Sequence, residues 1–173
     1  MFPKKIKFNK FGKPYIPGIP YDFNITHSGD YIACGIIKNG KIGIDIEEVK
    51  PIDIFSLSNH VFSNEEINIL GNIQSDNNRL KTFYKIWTLN EAYIKAHGKG
   101  ISIPLKQFSF QFTNTVPEIK RKIAGDTETW HLFQKQIDTH FILSSCYSFH
   151  KTINAPLPRI RRIPYPAIEN FSL

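Results

Sequence analysis

Residues 79–100, RLKTFYKIWTLNEAYIKAHGKG, are the segment that most constrains how this chain can fold. Apolar side chains recur there at helical spacing and lie broadly on one side of the predicted helix: Leu80, Phe83, Trp87 and Ile94. Gly98 follows at a position where helices commonly end. The segment therefore predicts a long helix whose apolar side packs against another layer.

Segments on both sides of this helix alternate between apolar and polar residues, as strands do. Three strands are predicted before the helix, YDFNI, YIACGII and KIGIDI, with a shorter one over residues 5–8. Four are predicted after it: FSFQF, EIKRKI, TWHLFQ and THFILSSCYS. We expect the Asn39-Gly40 pair to form a type I′ hairpin turn, so that the strands on either side of it are antiparallel neighbours.

The pattern between these two groups of strands is helical. A short helix is predicted near residues 55–61, and Ser63 followed by Glu66 has the spacing of a capping box at the start of a second helix. The expected fold class is α+β, with an antiparallel sheet packed on a long helix.

Length and charge limit the function classes. A chain of 173 residues, 41% of them hydrophobic, can bury the core of one or two small domains. The net charge of +7 predicts attraction to polyanions, but it does not choose among nucleic acid, a phosphorylated cofactor and an acidic protein. Neither a membrane span nor a signal peptide is recognisable, so we expect a cytoplasmic protein without a membrane partner. Cys34 and Cys146 lack metal or disulfide spacing and are expected to be reduced core thiols.

KIGIDIEE, residues 41–48, places two acids on one face of a predicted strand. Because strand side chains alternate, Asp45 and Glu47 share the face of Gly43, about 6–7 Å apart, and the isoleucines point the other way into the core. Like charges this close repel unless a positive group lies between them, and a divalent cation would fit. The alternative is that the two acids form the solvated side of a half-buried strand.

On the long helix, Glu91 and Lys95 continue a series of residues spaced by four that begins with Phe83 and Trp87. Taken alone, the two charges are explained as a surface ion pair between neighbouring turns. Together with the two strand acids, however, Glu91 completes a set of three carboxylates. Such oxygen ligands suit Mg²⁺, which also favours phosphate oxygens.

Five motifs in order resemble those of the Sfp-type 4′-phosphopantetheinyl transferases: GKPYIP, FNITHSGDY, GIDIEEV, FSNEE and FYKIWTLNEAYIKAHGKGISIPL. The resemblance runs from about Gly12 to Phe110 and continues more weakly to about residue 148. It implies the fold of that family and an Mg²⁺-dependent transfer of the 4′-phosphopantetheine arm of coenzyme A to a serine of an acyl or peptidyl carrier protein. Adenosine 3′,5′-bisphosphate is released. Coenzyme A and a carrier protein, rather than nucleic acid, are the partners that it implies.

The resemblance also assigns the reacting groups. It makes Asp45, Glu47 and Glu91 the metal ligands, and it gives one of the two glutamates the proton of the attacking serine, directly or through a metal-bound water. Lys95 is assigned to the pyrophosphate, where its charge offsets the charge that builds as the phosphoanhydride bond breaks.

Four further residues are assigned to the coenzyme. The resemblance places His27 at its 3′-phosphate, Ser28 at the neighbouring phosphates, and Lys13 and Pro14 against the adenine. Each has an ordinary alternative as a solvated surface residue or a core residue.

Two departures from the family pattern bear on activity. By the resemblance, residues 1–40 are the end of an N-terminal lobe, 41–150 a complete C-terminal lobe and 151–173 a basic, proline-rich tail. The rest of the first lobe is expected to be missing. Either another chain then covers the exposed apolar surface, as in a homo-oligomer, or the chain is a truncated, catalytically impaired relative that binds coenzyme A or a carrier protein.

The second departure is Asn90, which stands where the family usually has a lysine. The loss of this charge is expected to weaken binding of the coenzyme or the transition state.

Overall fold

The computed structural model describes residues 5–150 and 158–163. In these ranges the elements are β1 (Lys7–Phe8), β2 (Pro14–Tyr15), β3 (Tyr21–Ser28), β4 (Tyr31–Lys38), β5 (Gly40–Glu48), α1 (Ile54–Val61), α2 (Asn64–Gly71), α3 (Asp76–His97), β6 (Ser109–Thr113), β7 (Val116–Arg121), β8 (His131–Ile137) and β9 (Phe141–Phe149). Two short 3₁₀ turns join α3 to β6. The predicted α+β class is confirmed, and the predicted strands and helices occur with shifted ends.

Local capping chemistry sets the ends of the three helices. Asp53 accepts a backbone N–H from the first turn of α1. At α2, Ser63 and Glu66 form the predicted capping box. Helix α3 begins after Ser75 and ends at Gly98, whose φ of 67° is left-handed, as predicted for that glycine. None of the described helices is both long enough and apolar enough to cross a membrane.

The central sheet consists of three antiparallel strands in the order β5-β9-β8, and α3 packs on one of its faces. Gly43 makes this packing close. A Cβ atom at this position would lie 2.0 Å from the carbonyl oxygen of Ala92 and 2.2 Å from the backbone nitrogen of Ala96. Because nothing larger than a hydrogen atom fits, the backbone of α3 lies directly against β5.

Strands β3 and β4 form a separate antiparallel hairpin, closed by the two-residue turn Gly29-Asp30. The predicted Asn39-Gly40 hairpin is wrong. Although Asn39 has a φ of 53°, Gly40 is the first residue of β5 and pairs with Phe149 of β9, so β4 and β5 are not ladder partners. A turn sequence between two strands predicts that they pair, but it carries no information about a distant strand, here β9, that pairs with β5 instead. Asn39 instead carries the chain from one sheet into the other.

Side chains of β3 take the place of a paired strand along the edge of β5. The backbone N–H of Ile42 donates to Oδ2 of Asp22 at 2.8 Å. The N–H of Ile44 donates to Oδ1 of Asn24 at 2.9 Å. Edge groups of β5 are thereby satisfied without a backbone ladder. The hairpin is fixed against the strand that carries the acids.

Both faces of β5 are buried. Asp45 is only 3% exposed between the strand and α3, so the alternative of a solvated strand face is wrong for this residue. On the opposite face, Ile42, Ile44 and Ile46 are buried as predicted. Burial on both sides follows from the position of β5, which has α3 on one side and the β3–β4 hairpin near the other.

The outer face of the β3–β4 hairpin is exposed and apolar. Ile32 and Ile36 are 78% and 66% exposed, and Ile25 on β3 is 52% exposed. Cys34 lies on this face as an exposed free thiol, which corrects the prediction that it is buried in the core. Cys146 is free and buried, as predicted.

Part of the predicted tail is described. Residues 158–163 contain neither helix nor strand, and the rest of residues 151–173 lies outside the described residues. Arg162 donates to Oδ1 of Asp138 at 3.2 Å and to the hydroxyl of Tyr31 at 2.7 Å. This part of the basic segment therefore contacts the turn after β8 and the first residue of β4.

Candidate active site

Asp45 and Lys95 are in direct contact where β5 meets α3. Nζ of Lys95 donates to Oδ1 of Asp45 at 2.6 Å, and the hydroxyl of Thr26 on β3 donates to the same oxygen at 3.1 Å. Lys95 keeps 28% of its side chain exposed. The lysine therefore reaches across to the sheet, and its hydrogen-bonded partner is not Glu91, the neighbour that helical spacing alone suggests.

Both glutamates lie near enough to Asp45 to act on its ionisation. Burial raises the pKa of Asp45 from 3.8 to about 6; Lys95 opposes this rise, and the charges of Glu47 and Glu91 add to it. Burial also raises the pKa of Glu91, again opposed by Lys95 and increased by Glu47. Three acids therefore repel one another at the junction of β5 and α3.

The two oxygens of Asp45 differ in their hydrogen bonds: Oδ1 accepts two from the described residues and Oδ2 accepts none. Oδ2 is buried and receives no hydrogen bond from the described residues. A buried carboxylate oxygen without a donor is costly, and a cation would satisfy it. The donor chemistry of the three carboxylates therefore fits Mg²⁺. Within residues 5–150 and 158–163, however, no three His, Cys, Asp or Glu side chains already form a group that could hold a metal ion.

Ser28 is hydrogen-bonded to Glu47, one of the three acids. Its hydroxyl donates to Oε2 of Glu47 at 3.0 Å and accepts the backbone N–H of Glu48 at 3.1 Å. The serine predicted to bind phosphates therefore orients a predicted metal ligand. His27, the preceding residue of β3, is exposed on the other face of the strand.

Lys13 lies at the start of β5, away from Asp45. Nζ of Lys13 donates to Oδ2 of Asp22 at 2.6 Å and to the carbonyl oxygen of Ile42 at 3.0 Å. Ile42 precedes Asp45 by three residues, or roughly 10 Å along a strand. Pro14 is half-buried in β2. The ammonium group of Lys13 thus has protein partners in this structure.

Asn90 faces away from the acids. It is fully buried, and its Nδ2 donates to Oε1 of Glu66 at 3.0 Å and to the carbonyl oxygen of Ile86 at 2.9 Å. Glu66 also accepts the backbone N–H of Phe110 at 3.1 Å and two hydrogen bonds from Ser63. Asn90 therefore belongs to the packing of α3 against α2 and β6. The weaker binding of the coenzyme or the transition state that was expected from the missing charge stays a prediction.

The polar face of β3 is a part of the site that was not predicted from the sequence. Every second residue of YDFNITHS is polar and in phase on one side: Asp22, Asn24, Thr26 and Ser28. A strand whose inner face is polar needs polar partners in the interior. Here these partners are the backbone edge of β5 and two of its acids. The alternation was visible in the sequence and predicts such a contact.

Comparison with protein families gives one clear match. The family model described as the 4′-phosphopantetheinyl transferase superfamily matches residues 41–146. This range begins in β5, includes the three helices and ends in β9. It contains the contact between Asp45 and Lys95 and both neighbouring glutamates.

Curated relatives extend the match toward the N-terminus. The 4′-phosphopantetheinyl transferase gsp of Aneurinibacillus migulanus is 30% identical over 153 residues, which cover 88% of this chain and 62% of the relative. A 4′-phosphopantetheinyl transferase of Bacillus subtilis is 43% identical over 101 residues, 58% of this chain and 44% of the relative. The chain thus spans about half the length of the curated relatives it matches.

Solved structures agree on the fold. A holo-(acyl-carrier-protein) synthase from Bacillus anthracis in complex with CoA (3′,5′-ADP) aligns with a TM-score of 0.53 at 18% identity, covering 62% of this chain and 94% of the other. The holo-[acyl-carrier-protein] synthase of Thermotoga maritima aligns with a TM-score of 0.53 at 17% identity, covering 64% of each chain. At this identity the likeness concerns the fold alone.

Proposed function

Because this chain belongs to the 4′-phosphopantetheinyl transferase superfamily, we propose that it transfers the 4′-phosphopantetheine group of coenzyme A to a serine of an acyl or peptidyl carrier protein. The observation that carries the proposal is the buried Asp45 beside Lys95, at a junction whose other charges are Glu47 and Glu91. Acids and a partly exposed ammonium group meet there, as a reaction on a metal-bound diphosphate requires.

In this reaction the serine oxygen forms a bond to the phosphorus that carries the pantetheine arm. The phosphoanhydride bond breaks, and adenosine 3′,5′-bisphosphate leaves with the bridging oxygen. Glu91 or Glu47 takes the serine proton. Glu91 suits this role because burial raises its pKa, which makes its carboxylate a stronger base than an exposed one.

The acids are proposed to hold Mg²⁺, with Asp45, Glu47 and Glu91 as its ligands. When bound, this ion supplies neutralisation and orientation of the diphosphate. Asp45 offers Oδ2, which receives no hydrogen bond within residues 5–150 and 158–163, and Ser28 orients Glu47. Lys95 offers an ammonium group that is partly exposed and can donate to a diphosphate oxygen as negative charge moves to the leaving group.

The remaining contacts to coenzyme A are proposed along β2 and β3. The exposed imidazole of His27 donates to the 3′-phosphate, and Ser28 lies next to it near the other phosphates. Lys13 and Pro14 border the adenine. Lys13 is paired with Asp22 in this structure, so a bound coenzyme would share its ammonium group with an acid already present.

Charge supports these partners. The net charge of +7 attracts a polyanionic coenzyme and an acidic carrier protein.

A homo-oligomer that buries the exposed apolar face of β3–β4 remains a prediction, and a light-scattering mass well above 20.0 kDa would support it. A cytoplasmic location also remains a prediction.

A non-catalytic role is the second candidate function. The chain spans about half the length of its curated relatives, so the activity of a whole relative is not carried over to it without a test. In this second case the chain binds coenzyme A or a carrier protein without turnover.

Incubating the purified chain with labelled coenzyme A, Mg²⁺ and a panel of apo carrier proteins tests the proposal. We expect label on a carrier serine, and its loss when Mg²⁺ is chelated. No label on any carrier, while a competent control enzyme labels them, contradicts the transfer. Calorimetry that then shows Mg²⁺-dependent binding of coenzyme A supports the second candidate.

A further inference from the structure

Thr26 connects three elements at the acidic junction. Its hydroxyl lies on β3, donates to Oδ1 of Asp45 on β5 at 3.1 Å, and lies 3.4 Å from Nζ of Lys95 on α3. Thr26 is buried, with 7% of its surface exposed. Because little solvent reaches this buried hydroxyl, its hydrogen bonds are made with the neighbouring carboxylate and ammonium group rather than with water.

The two oxygens of Asp45 are treated differently as a result. Oδ1 receives both donors, whereas Oδ2 is buried and receives none from the described residues. With Oδ1 occupied by groups on two different elements, rotation of the carboxylate breaks a hydrogen bond to β3 or to α3. The carboxylate is therefore fixed in one orientation.

We propose that Thr26 is a positioning residue: it occupies Oδ1 of Asp45 together with Lys95, so that Oδ2 is the oxygen presented to a divalent cation. This inference rests on the proposed function and adds a role for a residue of β3 outside the proposed set of metal ligands. Ser28 performs the equivalent task for Glu47 two residues along the same strand face. Strand β3 thus supplies a row of hydroxyl groups that orients the acids of β5.

Binding of Mn²⁺, followed by the electron paramagnetic resonance signal of the free ion, tests this directly. Mn²⁺ prefers the same oxygen ligands as Mg²⁺. For the full chain without coenzyme, we expect Thr26→Val to weaken Mn²⁺ binding by about tenfold, the scale of losing a group that orients a metal ligand. Thr26→Ser keeps a hydroxyl and should bind within about threefold of the wild type.

Thr113→Val is the matched control. Thr113 donates to Oε2 of Glu118 at 3.1 Å, the same contact at the same length, but in the β6–β7 hairpin. It should leave Mn²⁺ binding unchanged. Circular dichroism of each variant identifies any loss that arises from unfolding.

The possible outcomes separate this inference from the proposed function. A folded Thr26→Val variant that binds Mn²⁺ as the wild type does overturns the positioning role and leaves the transferase proposal standing. Equal weakening in Thr26→Val and Thr26→Ser also overturns it, because the hydroxyl is then not the relevant group. If the wild type binds no Mn²⁺, the inference fails, and the carrier-labelling assay decides the function separately.

Discussion

Lys95 on α3 and Asp45 on β5 form an ion pair with an Nζ–Oδ1 distance of 2.6 Å. The helix and the strand come this close because Gly43, two residues before Asp45, has no side chain to separate their backbones. One glycine thereby determines both the packing of the core and the geometry of the charged site.

Lys95→Met is expected to lower the free energy of unfolding by about 2 kcal/mol, because Asp45 then loses its ammonium partner and its buried carboxyl group must either keep an uncompensated charge or take up a proton. The loss is smaller than for a fully buried pair, since the Lys95 side chain is 28% exposed. Urea denaturation near neutral pH measures it. The double variant with Asp45→Asn should recover most of the loss, and strictly additive effects would show that the two side chains do not stabilise each other.

Gly43→Ala is expected to destabilise the protein by about 3 kcal/mol or more, because its methyl group would overlap backbone atoms that cannot move independently of α3. Thermal unfolding is the measurement. Gly71→Ala is the matched control, since nothing lies within 4 Å of a Cβ there and the residue is helical; it should be neutral or slightly stabilising. Similar losses in both variants would rule out close packing as the cause.

Substitutions at Asn90 and Glu91, which are adjacent on α3, are expected to have opposite effects: the first lowers stability and the second lowers transfer activity. Asn90→Ala removes a buried donor to Glu66 and is expected to cost about 1–3 kcal/mol, while transfer per folded molecule stays within about threefold. Glu91→Gln should reduce transfer by about 100-fold or more, the usual scale for a lost general base, with stability unchanged or increased because a partly buried charge is removed. Urea denaturation and carrier labelling measure the two quantities. A large loss of transfer in folded Asn90→Ala would place Asn90 in the site after all.

Much of this arrangement follows from local rules. The alternation along KIGIDIEE predicted that Asp45 and Gly43 lie on the same face of β5. The capping box at Ser63 and the end of α3 at Gly98 were also correctly predicted. These features depend on residues a few positions apart. The failures concern distant contacts. Asn39-Gly40 has the sequence of a hairpin turn, yet β5 pairs with β9, which lies far along the chain: Gly40 is the partner of Phe149.

Side-chain partners were the least predictable part of the site. Helical spacing makes Glu91 the neighbour of Lys95, but the hydrogen-bonded partner is Asp45, because a contact across elements depends on the approach of α3 to β5. In the same way, the place of Asn90 in the chain suggested a role at the coenzyme, whereas its direction on the helix leads to Glu66.

His97 gives a prediction about pH. It is largely buried at the end of α3, where its ring contacts Tyr93 and Trp130 and its Nε2 lies 3.2 Å from Oδ2 of Asp126. Burial lowers the pKa of His97 below 6.5, although the neighbouring Asp126 opposes this. The unfolded chain therefore takes up a proton more readily than the folded one as the pH falls, so the contribution of His97 to stability is fully present above pH 6.5 and is lost below it.

His97→Phe keeps a ring against Tyr93 but cannot be protonated. We expect the difference in unfolding free energy between wild type and variant to shift in favour of the variant as the pH falls from about 7.5 to about 5.5, measured by urea denaturation. Taking the difference removes the contribution of Asp45, whose raised pKa acts in the opposite direction over this range. Asp126 does not interfere, because hydrogen bonds from Tyr93 and Trp130 outweigh its burial and lower its pKa below 3.8. A difference that stays constant across the range would mean that His97 binds protons equally in the folded and unfolded chains.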